Sequence, residues 1–507
     1  MQDNGLGNQS VWSAQTDIPE RPPLDGDRSV HTAVIGAGMA GMLTAYLLQR
    51  QGIDVLVLEA DRIGQGVTKN TTAKITSQHG LFYDRLITDF GERKARQYAD
   101  LNQRAIEQYA AIIQREKIDC DFMRIDAGVY SRDNRTKLIR EVKAAQQLGL
   151  PATLADSADL PFSVKGVVRF SNQAQFQPLE FLAKISEQVE VCEQTPVREV
   201  EGNRILTGRG TVTADHIVVA THYPFINTPG YYFLRMHQQR SYVLALKGAP
   251  LPDGMYIDAE DGGYTFRPYG EYLLFGGEGH RSGKNPDGGQ YAALEKAAKA
   301  FYPDAEVAFR WSAQDCMTLD HVPYIGEYAA DTQGLYVATG FNKWGMTGSM
   351  VAAMLLSAEI AEKSKSTVKA ETAVEQAADR PEDEREREGE IFSPHRFNLT
   401  ASALNIVKNG AETVSGFAKR ASLFPPETTE AIAPGQAQVI EYHGESLGVY
   451  KDREGTPHFV SADCAHLGCR LEWNPEELTW DCPCHGSRFD IDGRVVDSPA
   501  VRGIGDD

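Results

Sequence analysis

The stretch His31-Thr32-Ala33-Val34-Ile35-Gly36-Ala37-Gly38-Met39-Ala40-Gly41 organises the reading of the first two-thirds of the chain. His31 to Ile35 predict a short buried strand, and the glycines open an apolar helix that runs through Leu48. Val55-Leu56-Val57-Leu58-Glu59 predicts a second strand that ends in an acid eighteen residues past Gly41. Gly36, Gly38 and Gly41 let backbone approach a pyrophosphate at the positive helix end, and Glu59 can accept from ribose hydroxyls. Strand, glycines, helix, strand and acid in that order point to a bound dinucleotide rather than a generic turn.

At the other end, Cys464-Ala465-His466 is followed, with fifteen residues between, by Cys482-Pro483-Cys484-His485. This C-x-H and C-x-x-H arrangement suits a two-iron, two-sulfur centre with two cysteines on one iron and two histidines on the other. Neutral imidazoles in place of two thiolates raise the potential, so such a centre can accept electrons from a flavin. Zinc uses the same residue types, but more often as C-x-x-C with H-x-x-x-H. The two loops, Cys464-Ala465-His466-Leu467-Gly468-Cys469 and Cys482-Pro483-Cys484-His485-Gly486-Ser487, resemble those of the Rieske proteins. The resemblance implies Cys464, His466, Cys482 and His485 as ligands and a Cys469–Cys484 disulfide. The alternative for that pair is free thiols, because disulfides are uncommon in the cytosol. His466 and His485 are expected to form the exposed tip, and because that tip cannot face a flavin and an outside partner at once, a mobile module is expected. The family often has a tyrosine two residues after the serine. Here the position is Phe489, without a hydroxyl for a ligand sulfur, so the expected potential lies below that of respiratory Rieske proteins.

The flavin reading comes from the C-terminal half of the first unit. Gly334-Leu335-Tyr336-Val337-Ala338-Thr339-Gly340 leads into Phe341-Asn342-Lys343-Trp344-Gly345-Met346-Thr347-Gly348 and an apolar helix. With Ile217-Val218-Val219-Ala220-Thr221 and the Trp311 to Gly326 stretch, this resembles the D-amino-acid-oxidase-like flavoproteins. The resemblance implies FAD, with Val197, Ala220, Gly340 and Lys343 to Thr347 beside it and Thr72 and Lys74 facing it. No second GxGxxG is present, which argues against a nicotinamide domain.

The 507 residues allow two or three domains. A net charge of −19 argues against nucleic acid and an anionic membrane surface. Seven cysteines do not describe a secreted disulfide scaffold, and no apolar run is long enough for a transmembrane segment. Met1 to Arg28 is polar, without an apolar signal region, so a cytoplasmic location is expected. The predicted units are an N-terminal extension (1–30), a flavoprotein (31–364), a charged linker with an amphipathic connecting segment (365–432) and a Rieske module (433–507). Glu92–Glu116 is expected as one of the flavoprotein's helices.

The whole chain resembles bacterial FAD-dependent oxidoreductases of the D-amino-acid-oxidase superfamily that carry a C-terminal Rieske domain. That resemblance implies an α/β FAD-binding domain, Rossmann-like and of the glutathione-reductase type. An antiparallel substrate sheet within about 120–180 and 225–310 interrupts it, and an all-β Rieske domain follows. It also implies hydride transfer to FAD from a small amine or amino-acid-like substrate. Single electrons then pass through the cluster to an external carrier such as a ferredoxin, a cytochrome or a quinone-linked protein. The alternatives are a reductase fed through the cluster and a non-catalytic electron-transfer adaptor.

Lys343 is a candidate for stabilising the reduced flavin. Asp315 stands where amino-acid-oxidising relatives often place an arginine; an acid there would attract an amine, or else pair structurally with a nearby base. His79, Tyr242, Arg240 and Arg267 are candidates for the substrate pocket. Cys316 is a candidate flavin attachment point, although its offset from Thr318 and Asp320 differs from that of the covalent relatives.

Overall fold

The protein is described by a computed structural model over residues 8–372, 388–396, 432–442 and 445–505. The charged run near 370–390, expected as a solvated helix or linker, and the amphipathic segment around 399–417 lie almost wholly outside the described residues.

Val, Ile and Leu crowd the strands Arg28–Ile35, Val55–Leu58 and Thr211–Val219, which suits strands buried on both faces of a parallel sheet. The sheet order is Tyr324–Glu327, Leu335–Thr339, Thr211–Val219, Arg28–Ile35, Val55–Leu58, Glu190–Cys192. All these pairings are parallel except that of Tyr324–Glu327. The helices Met39–Gln49 and Gly345–Thr372 pack on each other, so the two segments expected at the dinucleotide share one layer.

A nine-stranded second sheet is built from Lys74–Ile75, Met123–Gln175 and Met236–Thr318. It is antiparallel apart from one pairing, Gly254–Asp258 beside Met123–Ser131, which is parallel. The helix expected from Glu92 begins earlier, at Tyr83, and breaks at Gly91, whose φ of 79° no helix interior accommodates. The N-terminal stretch is integral to the fold. Trp12 is fully buried, its Nε1 donates to the Thr71 carbonyl (2.7 Å), and the Arg267 guanidinium lies over its ring.

The C-terminal module has two small antiparallel sheets. One comprises Ala437–Tyr442, Glu445–Lys451 and Pro457–Ser461; the other runs from Glu472–Asn474 to Val495–Asp497. Its core gathers Trp480, Phe489 and Leu471 around Cys464, Cys469, Cys482 and Cys484. No helix among the described residues is long and apolar enough to cross a membrane.

Candidate functional site

A cavity of about 1360 Å³ runs from the glycine turn to the Rieske module. At one end lie Gly36, Gly38, Glu59, Thr72, Lys74, Val197 and Ala220; further along are Lys343, Trp344, Gly345 and Met346. A side chain at Gly36 would strike the Ala220 carbonyl at 2.7 Å, whereas at Gly38 the only near atom is Thr68 Oγ1, so backbone is open to a ligand there. Glu59 accepts from the Ala37 N–H (2.7 Å) and the Asp61 N–H (2.9 Å), which ties the acid to the glycine turn. Burial raises its pKa against those bonds. A narrow glycine cradle, a helix start and a half-buried acid are what a dinucleotide requires, and these residues fit FAD.

Three expected residues shape this site without lining it. Gly41 sits against the Gly36 carbonyl, Gly340 against Thr318, and Thr347 Oγ1 donates to the Thr76 carbonyl (2.8 Å).

Beyond the cradle the walls include Asp315, His222, Cys316, Tyr242 and Lys343. Asn342 and Lys343 both have left-handed backbone (φ 51° and 72°), a cost that the Asn342 side chain offsets. Its Oδ1 accepts from the Thr318 N–H (2.8 Å) and its Nδ2 donates to the Gly340 carbonyl (2.6 Å). Lys343 Nζ is thereby held at the cavity edge, donating to Ser241 Oγ (3.1 Å). Burial raises the pKa of Asp315, and Lys343 and His222 oppose it. Burial likewise lowers Lys74 to about 7, with Arg267 adding to the effect.

Three of the expected pocket residues lie elsewhere. His79 has both ring nitrogens occupied, by Tyr98 Oη (2.6 Å) and the Thr76 carbonyl (2.8 Å), and burial lowers it to about 3. It stacks on Trp344 at 4.8 Å and so supports a wall residue from behind. Arg267 is buried against Gln175 and the Phe176 carbonyl. Arg240 points into the boundary with the Rieske module, where it pairs with Glu477.

His222, absent from the sequence reading, lines the cavity with Nε2 buried and without a hydrogen bond among the described residues. It follows the strand Thr211–Val219, at the carboxyl edge where ligands of such sheets gather. That edge rule was the signal for it.

In the module, Cys469 and Cys484 form a disulfide. His485 is 2% exposed, yet neither of its ring nitrogens has a partner among the described residues; His466 Nδ1 is likewise buried and unbonded among them. Buried orphan nitrogens on two neighbouring imidazoles, with centroids 5.0 Å apart, fit a metal centre. His466 donates its other nitrogen, Nε2, to Asn227 Oδ1 at 2.8 Å, the outer bond that metal-ligating histidines usually make. The Cys464 thiol is lowered to about 7 by Cys482 beside it, against burial. Iron takes thiolate, so the four residues fit a [2Fe–2S] cluster.

The expected exposed tip is not observed. His485 packs against Phe233 (5.8 Å between rings), and Arg281 donates to the Cys484 carbonyl (3.1 Å). Val496, Ser498 and Ala500 of the module complete the cavity wall. The boundary carries a buried charge cluster in which Glu477 joins Arg240 and Arg488, and Arg488 also binds Asp481 (3.1 Å) and Asp497 (2.8 Å). Burial works against the Glu477 charge, but the two arginines outweigh it and hold its pKa at about 2. A depressed acid stabilises the folded state fully above its ordinary value of 4.5 and loses that contribution as pH falls toward 2. Stepwise acidification should therefore loosen the module within that window, as read by limited proteolysis, and Glu477→Gln should flatten the response. Superimposable acid profiles for the two proteins would contradict this.

Comparison with known proteins agrees with this geometry. A family model described as FAD dependent oxidoreductase matches residues 31–359, and one for the Rieske [2Fe-2S] domain matches residues 424–505. The chain is 34% identical to a putative Rieske 2Fe-2S iron-sulfur protein, YhfW, of Bacillus subtilis, over 97% of this chain and 96% of that protein. Among solved structures it is similar in fold to glycine oxidase from Geobacillus kaustophilus (TM-score 0.58, 18% identity, 73% of this chain and 99% of that one). It is also similar to L-proline dehydrogenase from P. horikoshii (TM-score 0.57, 17% identity, 67% and 95%). The chain belongs to the FAD-dependent oxidoreductases of the D-amino-acid-oxidase type and carries a C-terminal Rieske [2Fe–2S] domain.

Proposed function

We propose that the protein is a dehydrogenase that oxidises a small amine or amino-acid-like compound at a C–H next to nitrogen. FAD when bound supplies hydride acceptance, and the Rieske cluster when bound supplies one-electron transfer to an external carrier protein. Gly36, Gly38 and Glu59 hold the dinucleotide, and Thr72, Lys74, Val197, Ala220 and Trp344 to Met346 enclose it. Asp315 draws the substrate's ammonium group into the cavity, while Lys343 at the rim offers a cation. His222, with Nε2 free, takes the proton that leaves the substrate nitrogen. Cys464, His466, Cys482 and His485 hold the cluster. Functionally, the flavoprotein unit is 31–364 and the electron-exporting unit is 433–507.

The observation that carries this reading is the shared wall: Val496, Ser498 and Ala500 of the module line the same cavity as Gly36 and Asp315. An oxidase handing electrons to oxygen has no use for a cluster seated there. The adaptor alternative calls for a filled cavity, whereas this one extends well past the glycine cradle. The fold neighbours are named for glycine and proline, which supports a C–N substrate.

The test is anaerobic mixing of the holoenzyme with a panel of amines and amino acids, following flavin bleaching and the reduced-cluster EPR signal. One compound should produce both in sequence. Failure of every compound, with reduction of both centres by a reduced ferredoxin-type donor, would reverse the direction of current. With the active compound in hand, Asp315→Asn should lower kcat/KM by about a hundredfold, the scale of losing about 2–3 kcal/mol from a buried charge pair. An unchanged kcat/KM would remove Asp315 from substrate binding.

A further inference from the structure

Between the cavity and the cluster loops lies one buried amide. Gln238, on the strand Met236–Lys247, is 2% exposed. Its Nε2 donates to the His485 carbonyl (2.8 Å) and to the Ser498 carbonyl (2.9 Å). Its Oε1 accepts from Gln314 Nε2 (2.9 Å) and, more weakly, from the Cys316 thiol (3.9 Å). Gln314 in turn donates to the Gly486 carbonyl (2.9 Å) and accepts from Ser282 Oγ (2.7 Å). Packing is tight, since a Cβ on Gly486 would meet the Gln238 side chain at 2.8 Å.

Both ends of this chain of bonds are functional. Cys316 is a wall of the FAD cavity, and His485 is a cluster ligand. Burial pushes the Cys316 thiol far above its ordinary value, so it remains a protonated donor to Gln238. A buried amide whose donor is engaged across a domain boundary, and whose acceptor is engaged on its own side by Gln314 and Cys316, is costly to place there unless every bond is made. A docking contact could have been apolar at lower cost. Electron tunnelling decays less steeply through bonds and hydrogen bonds than through a van der Waals gap, so this chain is a connected path from the cavity wall to the cluster loop, beside the one that Arg281 makes to the Cys484 carbonyl.

We infer that Gln238, oriented by Gln314, is the bridge through which electrons pass between the FAD cavity and the Rieske cluster with the module docked as observed. The inference rests on the proposed exchange between the two centres, and it holds for either direction of net current. With both groups bound, each event would carry one electron from the reduced flavin to one ferric ion of the cluster, and over two events the proton gained with the hydride would leave to water in the cavity. No bond to the protein is made or broken. A one-electron carrier protein must reoxidise the cluster before the next event.

The experiment uses the full-length holoenzyme under anaerobic conditions, with the flavin photoreduced by a light flash in the presence of EDTA and no substrate. The rate of cluster reduction is followed optically, and the cluster's EPR g-values and the particle's radius of gyration are recorded for each protein. Gln238→Met keeps the side-chain length and removes its hydrogen bonds. Gln314→Met removes the orienting partner together with its own bonds to the Gly486 carbonyl and Ser282 Oγ, and leaves the Gln238 bond to the His485 carbonyl in place. Glu476→Gln loosens a boundary contact, to the Gly289 N–H, away from the path.

Gln238→Met should slow flavin-to-cluster transfer by about tenfold or more, with Gln314→Met intermediate and Glu476→Gln within about twofold of wild type. Gln238→Met should also shift the EPR g-values, through loss of the bond to His485, while the radius of gyration stays unchanged. If Gln238→Met fails to retain its cluster, the Gln314→Met rate decides. A wild-type rate in the methionine variants overturns the bridge. So does an equal slowing in Glu476→Gln with an expanded particle, which would make Gln238 a docking residue. Absence of transfer in the wild-type protein overturns the underlying reading as well, and the two failures are thereby distinguished.

Discussion

His485→Ala is expected to abolish the reduced-cluster EPR signal and the visible iron–sulfur absorption while leaving FAD bound. The imidazole is buried against Phe233 and His466 with both nitrogens unbonded among the described residues, so what its polar atoms offer is ligation. The module is small, and its core is drawn around Cys464, Cys469, Cys482 and Cys484, so cluster binding supplies a large part of its folding free energy. Loss of a ligand should therefore cost the module its protease resistance. The flavoprotein cores around Val34, Leu43 and Met350, and around Ile35, Val219 and Val337, contain no module residue and should melt as before. Turnover with a one-electron acceptor should fall to background, yet anaerobic bleaching of the flavin by substrate should persist. Cys469→Ser provides the comparison. It opens a link across a sequence separation of 15 and should cost about 3 kcal/mol, without removing a ligand. Iron analysis, EPR and calorimetry of the two variants separate these effects. A full Rieske signal from His485→Ala would remove that residue from the ligand set.

The parts of this protein that were legible in its sequence are those whose chemistry is local. The glycine turn, Glu59 and the two cluster loops are each contained in a few consecutive residues, because a pyrophosphate or an iron pair imposes its spacing on the backbone that meets it. His79 shows the limit of the same approach. It follows the segment expected to face the flavin, but its ring is satisfied by Tyr98 and the Thr76 carbonyl, contacts that no local pattern announces. Gly91 hid the first turns of the long helix for a similar reason, since a single left-handed residue interrupts the periodicity without ending the element. The boundary was not legible. Gln238 and His485 are 247 positions apart, and Arg240 and Glu477 are 237 apart. Each is an ordinary polar residue until two domains meet. An isolated Rieske module would expose its histidines; docking on Phe233, Asn227 and Gln238 buries His485 and half-buries His466, the close approach to the flavin cavity that direct transfer calls for.

Gly36→Ala is expected to yield a protein that folds with its Rieske cluster but binds FAD poorly. Two independent effects act at this position. The backbone is left-handed, with φ of 106°, which disfavours any residue with a Cβ by about 1–2 kcal/mol. The added methyl would also lie 2.7 Å from the Ala220 carbonyl oxygen, an atom fixed in the parallel sheet next to Ile35. Relief requires the turn to move outward, into the space where the pyrophosphate must lie, and the Glu59 bond to the Ala37 N–H moves with it. Gly41→Ala should be worse for stability and less specific for the cofactor. Its methyl would sit 1.9 Å from the Gly36 carbonyl oxygen and 3.2 Å from Val34 Cγ1, so the helix must lift from the sheet. Overpacking of this kind typically costs about 1–3 kcal/mol, and the nearer contact here is backbone, which yields less than a side chain. The distinguishing measurement is flavin content against melting temperature. Gly36→Ala should lose most bound FAD with a modest drop in the melting temperature of the apoprotein, whereas Gly41→Ala should lower that temperature further. FAD bound stoichiometrically in Gly36→Ala would mean that the turn does not meet the pyrophosphate, and the cradle would have to be assigned elsewhere along the cavity.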